Sequence, residues 1–259
     1  MGDISIRESI RWLPDPASEP TSTVVLTSPQ RRYVDIRILK PRNEDYNPAI
    51  IPLSRLDWAI AGTSSSSDGQ TDSATGEKYS HCEWRHWIDS RTLDVTNATD
   101  EGDNYSVPGD PSLTLEKGRM LNPATGVVTD YEEVWRSEEI KAAAPSRDDD
   151  PALLRGDDRE PDPPLCVVME HHGDESDGKV RRGMIIRLGR YCQTFLRKGT
   201  DVFVERNEWA FEGGWQTRVH INEGWLDAPV ADALLTPDRL AVGEERNWKG
   251  DVWKVVEKS

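Results

Sequence analysis

Apolar and polar residues alternate along much of the chain, which is the pattern of strands with one buried face. In the first such stretch Ile4, Ile6, Ile10 and Trp12 share one parity, although Glu8 breaks the apolar side. Because successive side chains of a strand point to opposite faces, this spacing predicts a first β-strand.

Residues 23–27 and 34–38 form the next pair of strand-like runs. A short polar turn at 28–30 joins them, so the pair predicts a β-hairpin. Further short runs of this kind follow, and 231–235 is predicted to form one helical turn. Many short strands with little helix favour an all-β barrel or sandwich.

The two halves of the chain carry a weak repeat. Glu83-Trp84 precedes Val134-Trp135 in the first half, as Glu208-Trp209 precedes Val252-Trp253 in the second. Self-similarity at half the chain length predicts two related domains rather than one large fold.

Polar segments set the predicted domain limits. Residues 141–164 hold a triple acid and several prolines, which is typical of a linker, so barrels are predicted over 1–140 and 165–259. The serine-rich stretch Ser64–Ser73 has no apolar side chain to bury and is predicted to be a flexible loop.

Composition and charge exclude some classes of function. The net charge of −15, without a basic stripe, argues against nucleic-acid binding. No apolar run approaches ~20 residues, so we expect no membrane insertion. Cys82, Cys166 and Cys192 form no closely spaced disulfide framework, so we expect a reduced, intracellular protein with a core built around its ten tryptophans.

Several segments resemble the fungal Hri protein family, which is named for interaction with a yeast casein kinase I. The similar segments are 4–10, 22–28, 33–40, 122–126, 131–136 and 183–193. The resemblance implies two tandem lipocalin-like antiparallel β-barrels, no established enzymatic activity and no catalytic residues to carry over. It also implies a fungal protein of the cytoplasm, with the nucleus as the alternative compartment, and casein kinase I as a protein partner.

Spacing argues against metal chemistry. Cys82 and His86 share a strand face but lie ~13 Å apart, and His81 points to the other face, so no metal ion and no cofactor are expected. Adjacent acids such as Glu132-Glu133 face opposite ways on a strand and are expected to be solvated.

The barrel interiors are the first candidate sites. Small barrels either hold one small ligand or are filled by their own side chains, and both alternatives remain open. Trp84 and His86 in the first half, and Glu205 and Trp209 in the second, are candidate ligand-binding residues for a small apolar or amphipathic molecule. A filled interior would indicate a scaffold, an open apolar one a carrier, and one with converging charges an enzyme.

The serine-rich stretch is the second candidate site. Ser64, Ser65 and Ser67 lie near Asp68, and acid-directed kinases read such neighbours through basic pockets. Together with the casein kinase I association that the resemblance implies, this predicts a non-enzymatic interaction or adaptor protein, and the alternative is a small-ligand carrier.

Overall fold

Two β-sheets make up the computed structural model, which describes residues 2–41, 51–143, 165–176, 178–210, 212–222 and 229–259. The first sheet is a closed barrel of eight strands: β1 Asp3–Trp12, β2 Thr21–Thr27, β3 Arg32–Leu39, β4 Leu56–Thr71, β5 Lys78–Asp89, β6 Thr99–Ser106, β7 Leu113–Asn122 and β8 Val127–Glu138. The second sheet has seven strands: β9 Cys166–His172, β10 Arg181–Leu188, β11 Tyr191–Lys198, β12 Asp201–Ala210, β13 Gly214–Ile221, β14 Glu245–Trp248 and β15 Asp251–Lys258.

The barrel has up-and-down topology. Each strand pairs antiparallel with the next, and β1 closes the barrel against β8 with a register shift between Arg7 and Ser9. The all-β prediction is confirmed, as is a barrel in the first half of the chain.

A second closed barrel is not confirmed. The strand order is β13-β12-β11-β10-β9-β15-β14, and within the described residues the end strands β13 and β14 do not pair. The chain between them includes helix α1 Val230–Leu235 and a 3₁₀ turn at Pro237–Arg239. Because Val230 and Ala233 pack into an apolar cluster on this sheet, the helix covers a face that closure would otherwise have buried.

The predicted internal repeat is confirmed for the Val-Trp pairs but not for the Glu-Trp pairs. In chain order, the first strand of each sheet pairs with the last, β1 with β8 and β9 with β15. Trp135 and Trp253 both lie in these last strands. Trp84 lies in the fifth strand of the barrel but Trp209 in the fourth strand of the second sheet. The Glu-Trp pairs are therefore not equivalent positions.

The largest apolar core lies between the two sheets, outside the barrel. Leu26 and Ile36 of the barrel meet Ile186 and Phe195 of the second sheet there, and all four are fully buried. The apolar side chains of β2 and β3 therefore point away from the barrel axis, and their polar neighbours point into it.

Hydrogen bonds reinforce this contact between sheets. The Gln193 side-chain amide donates to the carbonyl oxygens of Val24 and Val34, at 3.1 and 2.8 Å. At the turn between β2 and β3, the Glu257 carboxylate accepts from Ser28 Oγ at 2.6 Å and from the Gln30 backbone N–H at 2.9 Å. The two sheets are thus joined by a continuous core with polar contacts through it.

The loop prediction for Ser64–Ser73 is wrong over most of its length. Strand β4 continues to Thr71, and residues 64–67 pair with residues 81–84 of β5, so backbone hydrogen bonds rather than apolar burial hold the serines. The predicted helical turn at 231–235 is confirmed by α1. Of the predicted linker 141–164, residues 144–164 lie outside the described residues, and the domain limits stay predictions.

Candidate functional site

A cavity of about 280 Å³ lies inside the barrel. Its walls combine aromatic and charged side chains from β1, β3, β5, β6, β7 and β8 at positions where the side chain points inward. The aromatic members are Tyr33, Trp84, Tyr131 and Trp135, and the carboxyl members are Asp3, Asp35, Asp100, Glu116 and Glu133. The volume is close to the lower limit of ~300–1,000 Å³ that is usual for small-molecule sites.

Ion pairs fix the deep wall of the cavity. Arg37 Nη2 lies 2.8 Å from Asp35 Oδ2, and Arg7 Nη1 lies 2.5 Å from Glu133 Oε1. Arg7 also binds Glu19, at 2.9 Å. Burying a charge is costly unless it is paired, and these pairs allow both arginines to lie inside the barrel.

Glu133 corrects one expectation from the sequence. It was expected to be solvated beside Glu132, yet its side chain is buried and only 4% exposed against Arg7. Glu133 lies on the face of β8 that points into the barrel, where Arg7 pairs with it, whereas Glu132 lies on the outer face and is 22% exposed.

Unlike Asp35, Asp100 and Glu133, Glu116 has no cationic partner at hydrogen-bonding distance among the described residues. Tyr131 Oη donates to Glu116 Oε1 at 2.9 Å. Burial, reinforced by the charge of Glu133, raises the pKa of Glu116 to about 8, so this carboxyl is protonated at neutral pH.

Two glycines make room for this pair. A Cβ on Gly118 would lie 2.3 Å from Tyr131 Oη, and a Cβ on Gly102 would lie 2.9 Å from the Glu116 side chain. A side chain at either position would displace the hydrogen-bonded pair, so these strand glycines mark a close approach across the barrel wall.

Of the sequence-predicted residues in the first half, Trp84 lines the cavity and His86 lies beneath it. His86 Nδ1 lies 2.8 Å from Asp89 Oδ2, and Nε2 lies 3.3 Å from Asp100 Oδ2. Burial would lower the pKa of His86, but the two carboxylates outweigh it and raise the pKa to about 9. His86 is therefore a cation that supports the wall through Asp100.

Some polar atoms of the wall have no hydrogen-bond partner among the described residues. Four of these buried atoms belong to cavity-lining side chains: Tyr33 Oη, Asp35 Oδ1, Asn104 Oδ1 and Trp135 Nε1. Buried polar groups in proteins are usually hydrogen-bonded, so these atoms are the positions from which a bound molecule would be held.

The serines lie at and above the mouth of this cavity. Ser64 and Ser65 line it together with Arg31 of the β2–β3 turn, whose carbonyl oxygen accepts from the Ser64 amide at 2.8 Å. Ser67 is exposed further along the β4–β5 hairpin. The structure thus brings two of the three predicted phosphorylation sites to the predicted ligand site.

Glu205 and Trp209 lie elsewhere. They occupy the face of the second sheet that points away from the barrel, where Glu205 Oε2 is 3.0 Å from His220 Nδ1 and the Trp209 and Trp215 rings are 5.6 Å apart. The sequence predicts Glu205 and Trp209 for the interior of a second barrel, but they lie on one face of an open sheet, apart from Trp84 and His86.

A third group lies outside the barrel wall. Ligand atoms of His81, Glu83 and Glu101 lie within 4.8 Å of one another, and both glutamates are exposed. The sequence of β5 alone groups His81 with Cys82 and His86, because the cross-strand neighbour Glu101 lies in β6 and is not visible in the pattern of one strand.

Fold and cavity together define a class: an all-β protein in which a barrel with a ligand-sized, charged interior packs against an open sheet. The family described as Protein HRI1 matches residues 3–257, and the chain belongs to this family. The crystal structure of uncharacterized protein YLR301w from Saccharomyces cerevisiae is similar over 100% of this chain and 99% of that one, with a TM-score of 0.70 and 16% identity. At that identity the likeness shows the fold alone. A comparison with curated proteins gives no match.

One further finding concerns membranes: within the described ranges, no helix is long and apolar enough to cross a bilayer.

Proposed function

We propose that the protein is a non-enzymatic binding protein that holds one small amphipathic molecule inside the barrel β1–β8. The observation that carries the proposal is the set of four unpartnered, buried polar atoms on the wall of a 280 Å³ cavity. Aromatic rings supply apolar surface, and the polar atoms supply orientation, which is the usual composition of a small-molecule site.

Binding is favoured over catalysis by the state of the charged groups. Arg7 and Arg37 are held by Glu133 and Asp35, so they are structural pairs rather than free acids, bases or anion ligands. Charged groups that are paired in this way stabilise a defined cavity shape, and neither guanidinium is free to bind an anion.

A cavity-filling variant tests the proposal. Thr114→Phe places a ring at a lining position, and Thr99→Phe places the same ring at an exposed position of β6. Native and then denaturing mass spectrometry of protein purified from a fungal host should show a non-covalent mass on the wild type and on Thr99→Phe but not on Thr114→Phe. A bare mass for all three would contradict the proposal.

A second candidate function is an adaptor role in the fungal cytoplasm, with casein kinase I as the partner. The observation that favours it is that Ser65 and Ser67 of β4 are exposed and lie near Asp68. Both serines follow Thr63, which is the last residue of β4 that pairs with β3. An extended, exposed strand next to an acid presents serine hydroxyls and charge together.

Alanine at Ser64, Ser65 and Ser67 tests the adaptor role, with Ser106→Ala as the control at an exposed position of β6. We expect the triple variant to lose phosphate incorporation by casein kinase I while Ser106→Ala keeps it. Equal phosphate incorporation in both variants would contradict phosphorylation at these three serines.

A further inference from the structure

We propose that the molecule held in the barrel is an organic cation, an ammonium group carried on a small aromatic or apolar body. This inference rests on the proposed binding function and adds the chemical class of the ligand. Three independent features of the cavity support it: the balance of charges, the unpartnered acceptors and the aromatic walls.

The carboxyl groups of the wall outnumber their cationic partners. Five carboxyl groups line the cavity, and three of them are paired, Asp35 with Arg37, Glu133 with Arg7 and Asp100 with His86. Among the described residues Asp3 and Glu116 have no cationic partner, and Glu116 adds a negative charge when it ionises. Arg37 is already paired with Asp35, and Arg31 is exposed at the mouth. An anionic ligand would meet this excess of acid, whereas a cation would be attracted by it.

The unpartnered acceptors provide direct contacts for N–H donors. Asp35 Oδ1 has no hydrogen-bond partner, although the residue is only 4% exposed, and Tyr33 Oη has none at 2% exposure. Asn104 Oδ1, in β6, is a third such acceptor. An ammonium group has three donors and no acceptor, so it matches acceptors that converge from several strands.

The aromatic walls suit the rest of such a molecule. Trp84 and Trp135 line the cavity together with Tyr33. The faces of indole and phenol rings attract cations, and combined aromatic and acidic walls are how proteins recognise organic ammonium groups. A sugar or polyol would use the acceptors but would gain nothing from the charge.

Glu116 makes the inference testable, because binding of a cation beside it should release a measurable proton. It faces Glu133 and Tyr131 of β8, Arg37 of β3, Asp100 of β6 and, more weakly, Cys82 of β5. Because it is protonated at neutral pH, a cation bound beside it favours the carboxylate and expels a proton. Binding should therefore strengthen as the pH rises.

Matched probes of one shape separate the classes of ligand. Phenethylammonium, the neutral phenethyl alcohol and the anionic hydrocinnamate are titrated calorimetrically into wild-type protein at about pH 8.5. We expect the cation to bind at least ~10-fold more tightly than the alcohol, hydrocinnamate not to bind, and Thr114→Phe to abolish binding of the cation.

The pH dependence gives a second readout. If the cation binds only the ionised form of Glu116, a pKa of about 8 predicts that its dissociation constant rises roughly 25-fold between about pH 8.5 and 6.5. Titration near neutral pH in two buffers of different ionisation enthalpy should reveal release of close to one proton. Glu116→Gln should abolish both the pH dependence and the proton release. If that variant folds poorly, proton release by the wild type still tests the inference.

The outcomes separate this inference from the proposed function. Equal binding of the cation and the alcohol, without proton release, would overturn the cation inference and leave the barrel as a binding site. Binding of hydrocinnamate alone, or of none of the three probes, would also overturn it. A non-covalent mass on the host-purified protein that Thr114→Phe removes would keep the binding function in each of these cases.

Discussion

The buried carboxyl of Glu116 predicts how the stability of the barrel depends on pH. Its ordinary pKa of 4.5 rises to about 8 in the folded protein because of burial and the nearby charge of Glu133. A raised pKa means that the folded state holds the proton more tightly than the unfolded state. The associated stability is fully present below about pH 4.5 and is lost as the pH rises to about 8.

The magnitude follows from that interval. At ~1.36 kcal/mol per pH unit, the span between 4.5 and about 8 corresponds to roughly 5 kcal/mol of unfolding free energy. Glu116→Gln keeps the shape and can still accept from Tyr131, but it does not titrate. We expect the variant to match the wild type at about pH 4.5 and to exceed it by up to roughly 5 kcal/mol at about pH 8.5.

Urea unfolding followed by tryptophan fluorescence at several pH values measures this difference. The control is Glu101→Gln, at an exposed side chain of the neighbouring strand β6, which should change stability by less than ~0.5 kcal/mol at every pH. Parallel curves for wild type and Glu116→Gln across this range would refute the reasoning, because they would mean that Glu116 titrates alike in both states.

Three further predictions concern close packing, the core between the sheets and the buried histidine. Gly118→Ala should lower the unfolding free energy by ~1–3 kcal/mol through its clash with the tyrosine ring, whereas Gly213→Ala, which meets only a flexible glutamine amide, should cost little in urea unfolding. Phe195→Ala should cost ~3–5 kcal/mol, because the ring is fully buried between barrel and sheet; a loss below ~1 kcal/mol in urea would contradict that placement. The ring protons of His86 should titrate near pH 9 in NMR spectra, and its stabilising effect should be present below about pH 6.5 and be lost as the pH rises through about 9; titration near 6.5 would contradict the ion pairs.

The alternation of residues predicted the strands but not which face of each strand points inward. In β3 the apolar Val34 and Ile36 alternate with Asp35 and Arg37, and the usual rule places the apolar set inside a barrel. Here the second sheet covers the outside of β3, so both faces are buried and the charged set lines the cavity. A pattern within one strand holds no information about a partner sheet that lies more than 100 residues away.

Two other departures have similarly local causes. Alternation along β5 predicts that Ile88 shares a strand face with Trp84 and His86, but a register shift at Gly62 turns Ile88 outward into the core between the sheets. The Gly62 Cβ would lie 2.0 Å from the Arg85 carbonyl oxygen, so glycine is required there. Such a bulge is set by the pairing of two strands and is not visible in either strand alone.

Glu116 and Tyr131 could not be singled out from the sequence for the same reason. They meet across the β7–β8 pair, and the space that they occupy is provided by glycines on adjacent strands. Trp84 could be found, because a tryptophan on an alternating strand next to small and polar residues is a recognisable pattern for a barrel interior.

A crystal structure of the protein purified from a fungal host, without added ligand, would show directly whether the barrel holds a small molecule. We predict ordered, non-protein electron density inside the barrel, within hydrogen-bonding distance of Asp35 Oδ1 and Tyr33 Oη and in contact with the Trp84 ring. A barrel in which side chains have closed over the cavity, and these atoms bond to one another or to water alone, would contradict the account.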